Sequence, residues 1–133
     1  MTIVEFISNQ LPERQDFFTK MHAIIIKEDK SVEPIIGTMM RMEMIHYNTS
    51  GTFKYGLAST KKYISFHAMP IYMSAAIHAK YKILLPKANF QKGCINFIDE
   101  NEMPLAIFRK LIIDCSKIDL VKIREEQLKS RKK

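Results

Sequence analysis

The chain has 133 residues, 47% of them hydrophobic and 26% charged, which is the composition of one soluble globular domain with a single core. No apolar run approaches the length of roughly 18 residues that a membrane-spanning helix needs, so the sequence predicts no membrane partner. The segment Met1–Glu5 lacks the basic start and the apolar stretch of a signal peptide. We therefore expect a cytoplasmic protein.

The formal net charge of +7 is concentrated at the C-terminus. Residues 121–133 carry six cations and two carboxylates, a net +4 of the total +7, so the rest of the chain is only mildly basic. A basic tail attracts polyanions weakly and in a salt-dependent way, but it reads no base sequence. We therefore predict no specific nucleic-acid partner and interpret the tail as an aid to solubility.

The two cysteines, Cys94 and Cys115, lack the close spacing of a metal-binding motif. Nothing else in the chain indicates an oxidising compartment. We interpret both as half-buried thiols, which is the ordinary habit of free cysteine.

Two helices are predicted in the first 30 residues. Thr2 and Glu5 have the spacing of a capping box, which favours a short first helix. Pro12 suits the first turn of a second helix, which should end near Lys30. The expected buried residues are Ile3, Phe6 and Ile7 in the first helix and Phe17, Phe18, Met21, Ile24 and Ile25 in the second, with Arg14, Lys20 and Lys27 away from that stripe.

Alternation of residue types predicts three consecutive strands. The first runs from Thr38 to Tyr47, the second follows a hairpin turn at 48–51, and the third covers 63–69 after a turn at 59–61. The first strand places Met40, Met42, Met44 and His46 on one face and Arg41, Glu43 and Tyr47 on the other. The expected common faces of the next two strands are Phe53, Tyr55 and Leu57, and then Ile64, Phe66 and Ala68. Tight turns join these strands into an antiparallel meander, and the methionines are expected in the core.

The residue pattern of the C-terminal half predicts further helices before and after one short strand. Pro70 opens a helix that continues to about Lys82, with Met73, Ala76, Ile77 and Tyr81 as its stripe. Residues 86–93 are interpreted as a loop and Cys94–Ile98 as a strand. Pro104 leads another amphipathic helix, and a charged terminal helix follows towards Arg131. The whole pattern predicts an α+β protein in which helices from both ends cover one face of the meander.

A series of short motifs runs from a Met-Arg-x-x-Met-x-x-Tyr strand to a Pro-Leu-led helix. Through them, the segment from about Leu11 to Cys115 resembles the YdhG-type domain family of the frataxin-like superfamily. The matching residues are Met40, Arg41, Met44, Tyr47, Gly51, Ser59, Lys61, Tyr63, Ile64, Ser65, Lys92, Cys94, Ile95, Phe97 and Pro104. The chain departs from the pattern at Met42, Ile45, Gln91 and Asn96, where the family has an aromatic residue, Pro, Gly and Arg.

The resemblance implies a frataxin-like two-layer sandwich with its domain at 1–120 and a basic helix or tail at 121–133. It also implies a function that is largely uncharacterised, although some relatives are described as intracellular iron chaperones. The sequence itself gives little support for iron binding, because the acidic residues of the first long helix are interrupted by lysine and arginine. Four histidines are present, but a metal site needs several convergent ligands, so a metal site stays undetermined.

Six residues form the candidate ligand-binding group: Arg41, Tyr47, Lys61, His67, Lys92 and Cys94. Arginine and lysine suit a carboxylate or phosphate, and tyrosine adds a hydrogen bond above an apolar wall. The alternative interpretation is that Arg41 pairs with Glu43 or Asp99 and that the lysines are simply solvated. No cysteine–histidine spacing supports a nucleophilic role, and no catalytic group is visible.

We therefore expect a non-enzymatic module that binds a small ligand or a protein, with no cofactor. The alternative is an intracellular iron-binding chaperone, for which iron follows from family analogy only. An enzyme ranks third.

Overall fold

A computed structural model describes residues 1–39 and 41–131, except for the side chains of Arg124, Ser130 and Arg131, and within this range it has six helices and six strands. The helices are α1 (Ile3–Ser8), α2 (Pro12–Glu28), α3 (Met69–Met73), α4 (Ala75–Leu84), α5 (Leu105–Ser116) and α6 (Leu120–Arg131). The strands are β1 (Glu33–Met39), β2 (Met42–Thr49), β3 (Thr52–Ser59), β4 (Ile64–Ala68), β5 (Asn89–Phe90) and β6 (Cys94–Phe97). They pair antiparallel in the order β1-β2-β3-β4-β6-β5, which confirms the predicted α+β class.

The first two helices form as the sequence predicts. The Thr2 hydroxyl accepts a hydrogen bond from the Glu5 N–H at 3.1 Å, and α2 begins at Pro12. The predicted stripe of α2 is buried throughout: Phe17, Phe18, Met21, Ile24 and Ile25. Arg14 differs from the expectation, because its side chain is also buried. Its guanidinium donates to the Ser59 hydroxyl at 2.7 Å and to the Thr60 carbonyl, and so ties α2 to the turn between β3 and β4.

The prediction of one strand from Thr38 to Tyr47 is wrong, because the chain reverses in the middle of that segment. Arg41 has a φ of 63°, and the reversal pairs Met39 with Met42 across β1 and β2. Alternation continues on both sides of the turn, so the residue pattern does not reveal it. Met44 is fully buried, as predicted for the methionines, but Met42 is only half-buried, which corrects the prediction for that residue. Met40 lies outside the described residues.

A bulge in β3 changes which side chains face the helices. Tyr47 pairs with Tyr55 and Asn48 pairs with Phe53, so Lys54 is an extra residue in β3. The bulge lets Lys54 point to the same side as Tyr55, where both side chains reach Asp29 at the end of α2. Phe53 therefore turns to the opposite face of the sheet, which corrects the expectation that it shares a face with Tyr55 and Leu57.

The C-terminal half differs from the sequence-based prediction in two places. The single helix expected from Pro70 to Lys82 is broken at Ser74, whose extended backbone ends α3 and whose hydroxyl caps α4 through the Ile77 N–H. The predicted loop at 86–93 contains the short edge strand β5. By contrast β6 and α5 follow the prediction, and the core side chains of α5 are buried.

Helices cover one face of the sheet, and that interface forms the core. Phe66 of β4 packs edge-on against Phe108 of α5 at 5.0 Å, and Phe97 of β6 packs against Phe17 of α2 at 5.9 Å. The strands contribute Ile45, Tyr47, Tyr55, Leu57, Ile64, Phe66, Ala68, Ile95 and Phe97 to this core. Alternation places another set on the opposite side, here called the open face: Met44, His46, Phe53, Gly56, Ala58, Ser65, His67, Cys94 and Asn96.

Within the described ranges, none of the helices combines the length and the apolar character that crossing a bilayer requires.

Candidate functional site

Of the six candidate ligand-binding residues predicted from the sequence, only two lie next to each other in the structure. His67 and Cys94 are directly paired across β4 and β6 on the open face. Arg41 and Lys61 are exposed in turns at one end of the sheet, and Lys92 is exposed in the turn between β5 and β6 at the other end. A site in which all three cations hold one carboxylate or phosphate is therefore not formed by this fold.

Tyr47 lies in the core, on the far side of the sheet from His67 and Cys94. Its hydroxyl is 2.7 Å from Nδ1 of His22 on α2, and its side chain has no exposed surface. Burial raises the pKa of Tyr47 well above its usual value, so the phenol stays protonated. Tyr47 thus joins α2 to the sheet and does not reach the open face.

Four positions form one row across the open face, here called the histidine row: His46, Gly56, His67 and Cys94. Gly56 lies between the two histidines and, as a glycine, places no side chain there. A Cβ at Gly56 would lie 2.7 Å from Met44 Sδ and 2.8 Å from Phe53 Cζ. The absence of that Cβ therefore makes room for Met44 and Phe53 above the sheet.

The histidine row offers neutral hydrogen-bonding groups. Nε2 of His67 is 3.2 Å from the Ser65 hydroxyl, while Nε2 of His46 and Oδ1 of Asn96 are buried without a hydrogen-bond partner among residues 1–39 and 41–131. Burial lowers the pKa of His46 and His67, and His46 adds to the shift at His67. Burial also raises the pKa of the Cys94 thiol, although Ser65 opposes that shift. At neutral pH these imidazoles and this thiol are therefore uncharged.

A cleft of about 630 Å³ adjoins the histidine row at the end of the sheet where β3 begins and β4 ends. It is called the Phe53 cleft, and its lining residues are Gly51, Thr52, Phe53, Met69, Tyr72, Met73, Leu120, Ile123 and Gln127. Phe53 connects the two features, because its ring packs edge-on against His46 at 5.2 Å. Tyr72 lies near the other end of the histidine row, because it packs over Gly93, the residue before Cys94. A Cβ built on Gly93 would be 3.4 Å from Tyr72 Cβ.

Local sequence explains why these side chains surround the cleft. Pro70 starts α3 immediately after β4, and Ser74 ends it after one turn, which leaves Met69, Tyr72 and Met73 beside the sheet. On the other side, Asp119 Oδ1 accepts a hydrogen bond from the Lys122 N–H at 3.0 Å and caps α6. The buried Leu120 anchors that helix so that Ile123 closes the wall of the cleft.

The histidine row does not form a metal centre. In the part of the chain that the structure describes, no three His, Cys, Asp or Glu side chains come close enough together to hold a metal ion. His46 and His67 stand on β2 and β4 with β3 between them, and Cys94 is the one metal-ligating residue of the described strands that pairs directly with His67.

Sequence reasoning missed most of the cleft. Gly56 in the middle of a strand was a usable signal, because such a glycine often marks the close approach of another group. Nothing in the residue pattern connects Phe53 with Tyr72 or Ile123, which come from three separate elements.

The chain matches no family model, and neither a curated protein nor a solved structure is significantly similar to it.

Proposed function

We propose that the protein is a non-enzymatic binding domain that holds a small, mainly apolar and uncharged ligand in the Phe53 cleft. The ligand's polar group would meet Thr52 or the Gln127 amide, which line the cleft. The observation that carries this proposal is a cleft of about 630 Å³ whose described lining consists mainly of apolar and aromatic side chains. Clefts of this size, apolar with few polar groups, are the usual form of small-molecule sites.

The side chains of the cleft suit an apolar ligand of variable shape. Met69 and Met73 are unbranched and polarisable, so they adapt to irregular partners. Phe53 and Tyr72 supply aromatic surface at the cost of few rotatable bonds. Among the described lining residues, the polar side-chain groups are those of Thr52, Tyr72 and Gln127.

The charge around the cleft favours an uncharged ligand over the carboxylate or phosphate expected from the sequence. No lysine, arginine, aspartate or glutamate is among the lining residues whose side chains the structure describes, a set that does not include Arg124. His46, which packs against the Phe53 ring behind the lining, is neutral at pH 7 because burial lowers its pKa. An anion placed there would lose its hydration without gaining a cation.

The experiment is a fluorescence titration with 1-N-phenylnaphthylamine, an uncharged apolar probe that brightens when it leaves water. We expect saturable binding that decanol competes away better than decanoate at pH 7.5. Met73→Gln should weaken probe binding about tenfold, because an amide in an apolar contact loses on the order of 1–3 kcal/mol.

The matched control is Met42→Gln, another half-buried methionine, near the far end of β2. It should leave probe affinity within about twofold, which is below 0.5 kcal/mol. Equal losses in the two variants would place the probe elsewhere and refute the cleft. Stronger competition by decanoate would refute the uncharged ligand class.

Family membership is part of this proposal. An antiparallel sheet with helices on one face is the arrangement that a frataxin-like two-layer sandwich has, and it supports assignment to the YdhG-type domains. The alternative role as an iron-binding chaperone rests on that resemblance alone. Titration with ferrous iron, followed by NMR of the histidine and carboxylate signals, tests it separately.

A further inference from the structure

The side of α2 and α5 that faces away from the sheet carries a shallow groove of about 580 Å³, here called the α2–α5 groove. Its apolar floor is Ala23, Ile24, Leu105, Ala106 and Ile113, and its rim is Lys20, Lys27, Arg109 and Lys110. We propose that this groove docks an acidic amphipathic helix of a partner protein.

The apolar floor is accessible although it lies between two packed helices. Ala23 and Ala106 are exposed, and Ile113 keeps 37% of its surface accessible. These alanines leave a depression between α2 and α5 into which larger side chains can insert, as ridges fit grooves in helix packing. The floor thus gives an apolar partner surface to bury.

The rim selects for negative charge. All four charged residues of the lining are cations, and no carboxylate lines the groove in the described part of the chain. Lys20 is paired with Asp16 at 2.9 Å, whereas the described ion pairs include none of Lys27, Arg109 and Lys110. A partner with carboxylates on both sides of an apolar stripe complements this arrangement.

The dimensions fit one short helix. The lining positions on α5 run from Leu105 to Ile113, about 12 Å at the rise of an α-helix, which is roughly two turns. A docked helix would present two or three apolar residues at i, i+3 or i+4, and i+7 over that length. Aspartate or glutamate beside this stripe would reach the rim.

Other occupants fit less well. A second copy of this chain, docked face to face, would set four cations against the same four cations. Single-stranded nucleic acid uses aromatic side chains for stacking, and no aromatic side chain is among the described residues that line the groove. An anionic membrane is better matched by protruding aromatic residues than by a concave floor of alanines.

The probe is a fluorescein-labelled peptide of about 15 residues, the length at which isolated helices become stable, with leucine at i, i+3 and i+7 and glutamate as its charged residue. Fluorescence anisotropy should show saturable binding that weakens as salt is raised. The double variant Lys27→Glu/Arg109→Glu should lose about tenfold in affinity, roughly 1.4 kcal/mol. The control Lys62→Glu/Lys82→Glu makes the same change of net charge at exposed positions away from the groove and should lose less than about threefold.

Ala106→Lys separates docking from simple attraction between charges. Lysine has nearly the helix propensity of alanine, so the fold should tolerate it at this exposed position. The substitution adds a positive charge but blocks the floor, and docking therefore predicts weaker binding. A peptide with its leucines replaced by glutamine should also bind weakly.

Three results would overturn the proposal: equal losses in the two double variants, tighter binding by Ala106→Lys, or full affinity of the leucine-free peptide. Polyuridylate or phosphatidylserine vesicles that bind more tightly than the peptide, with the same dependence on Lys27 and Arg109, would reassign the groove to a polyanion. None of these variants touches the Phe53 cleft, so failure here leaves binding of 1-N-phenylnaphthylamine as a separate result.

Discussion

Replacing Lys54 with methionine removes the cation of a buried ion pair while keeping the length of its aliphatic chain. Lys54 and Asp29 are each 2% exposed, and their Nζ and Oδ2 atoms are 2.8 Å apart. The same Oδ2 accepts a hydrogen bond from the Tyr55 hydroxyl at 2.7 Å. Oδ1 accepts from the Ser31 hydroxyl at 2.6 Å and from the Ser31 N–H at 3.1 Å.

The structure sets the size of the effect. Breaking a buried pair by removing one partner costs about 3–5 kcal/mol, because the other charge stays desolvated. Tyr55 and Ser31 still donate to Asp29 in the Lys54→Met variant, so we expect the lower end, about 3 kcal/mol. Asp29→Asn should cost a similar amount, and the double variant should cost about 2 kcal/mol less than the sum of the two.

The acid limb of the stability curve provides an independent measurement. Burial opposes ionisation of Asp29, but hydrogen bonds from Lys54, Ser31 and Tyr55 outweigh it and lower its pKa below the ordinary 3.8. Because the unfolded chain takes up this proton first, the stabilisation is present above pH 3.8 and is lost as pH falls through the lowered pKa. In Lys54→Met, the pKa of Asp29 should rise, so less stability should be lost below pH 3.8, and Asp29→Asn should lack this component.

Urea unfolding followed by circular dichroism gives the free energy of unfolding for each variant, and unchanged m-values would show that the comparison is valid. A cost below about 1 kcal/mol for Lys54→Met would contradict the reasoning, since that is the value of an exposed pair. Simple additivity in the double variant would contradict it as well.

Three further predictions concern other buried groups of the fold. Gly56→Ala should lower stability by about 1–3 kcal/mol in thermal unfolding, because its Cβ meets Met44 and Phe53; an unchanged midpoint would show that both side chains move freely. Arg14→Met should cost about 2 kcal/mol in urea, since its bonds to the turn at Ser59 are lost, whereas additivity with Ser59→Ala would argue against that contact. Burial lowers the pKa of His22, His46 and His67, so the unfolded chain binds protons first as the pH falls. The free energy of unfolding should therefore fall as pH drops below 6.5, and replacing all three histidines with glutamine should flatten that slope.

Periodicity in the sequence was sufficient for the elements that pack against the core. In α2 every apolar residue of the predicted stripe is buried, and in β4 the predicted face of Ile64, Phe66 and Ala68 is buried, although Ser65 on the other face is buried too. These segments were predictable because one continuous face of each is buried, so the spacing of apolar residues directly records the geometry of the helix or strand. The α+β class followed from the same information.

The candidate sites depend on contacts between distant segments, which local spacing does not encode. The turn at Arg41 splits one alternating run into β1 and β2, and the bulge at Lys54 turns Phe53 away from the core towards His46. Lys54 tolerates that position because Asp29, 25 residues earlier in the chain, neutralises it. The sequence by itself therefore determined which residues could be buried, while the pairing of strands and the packing of α3 and α6 decided which of them surround a cleft.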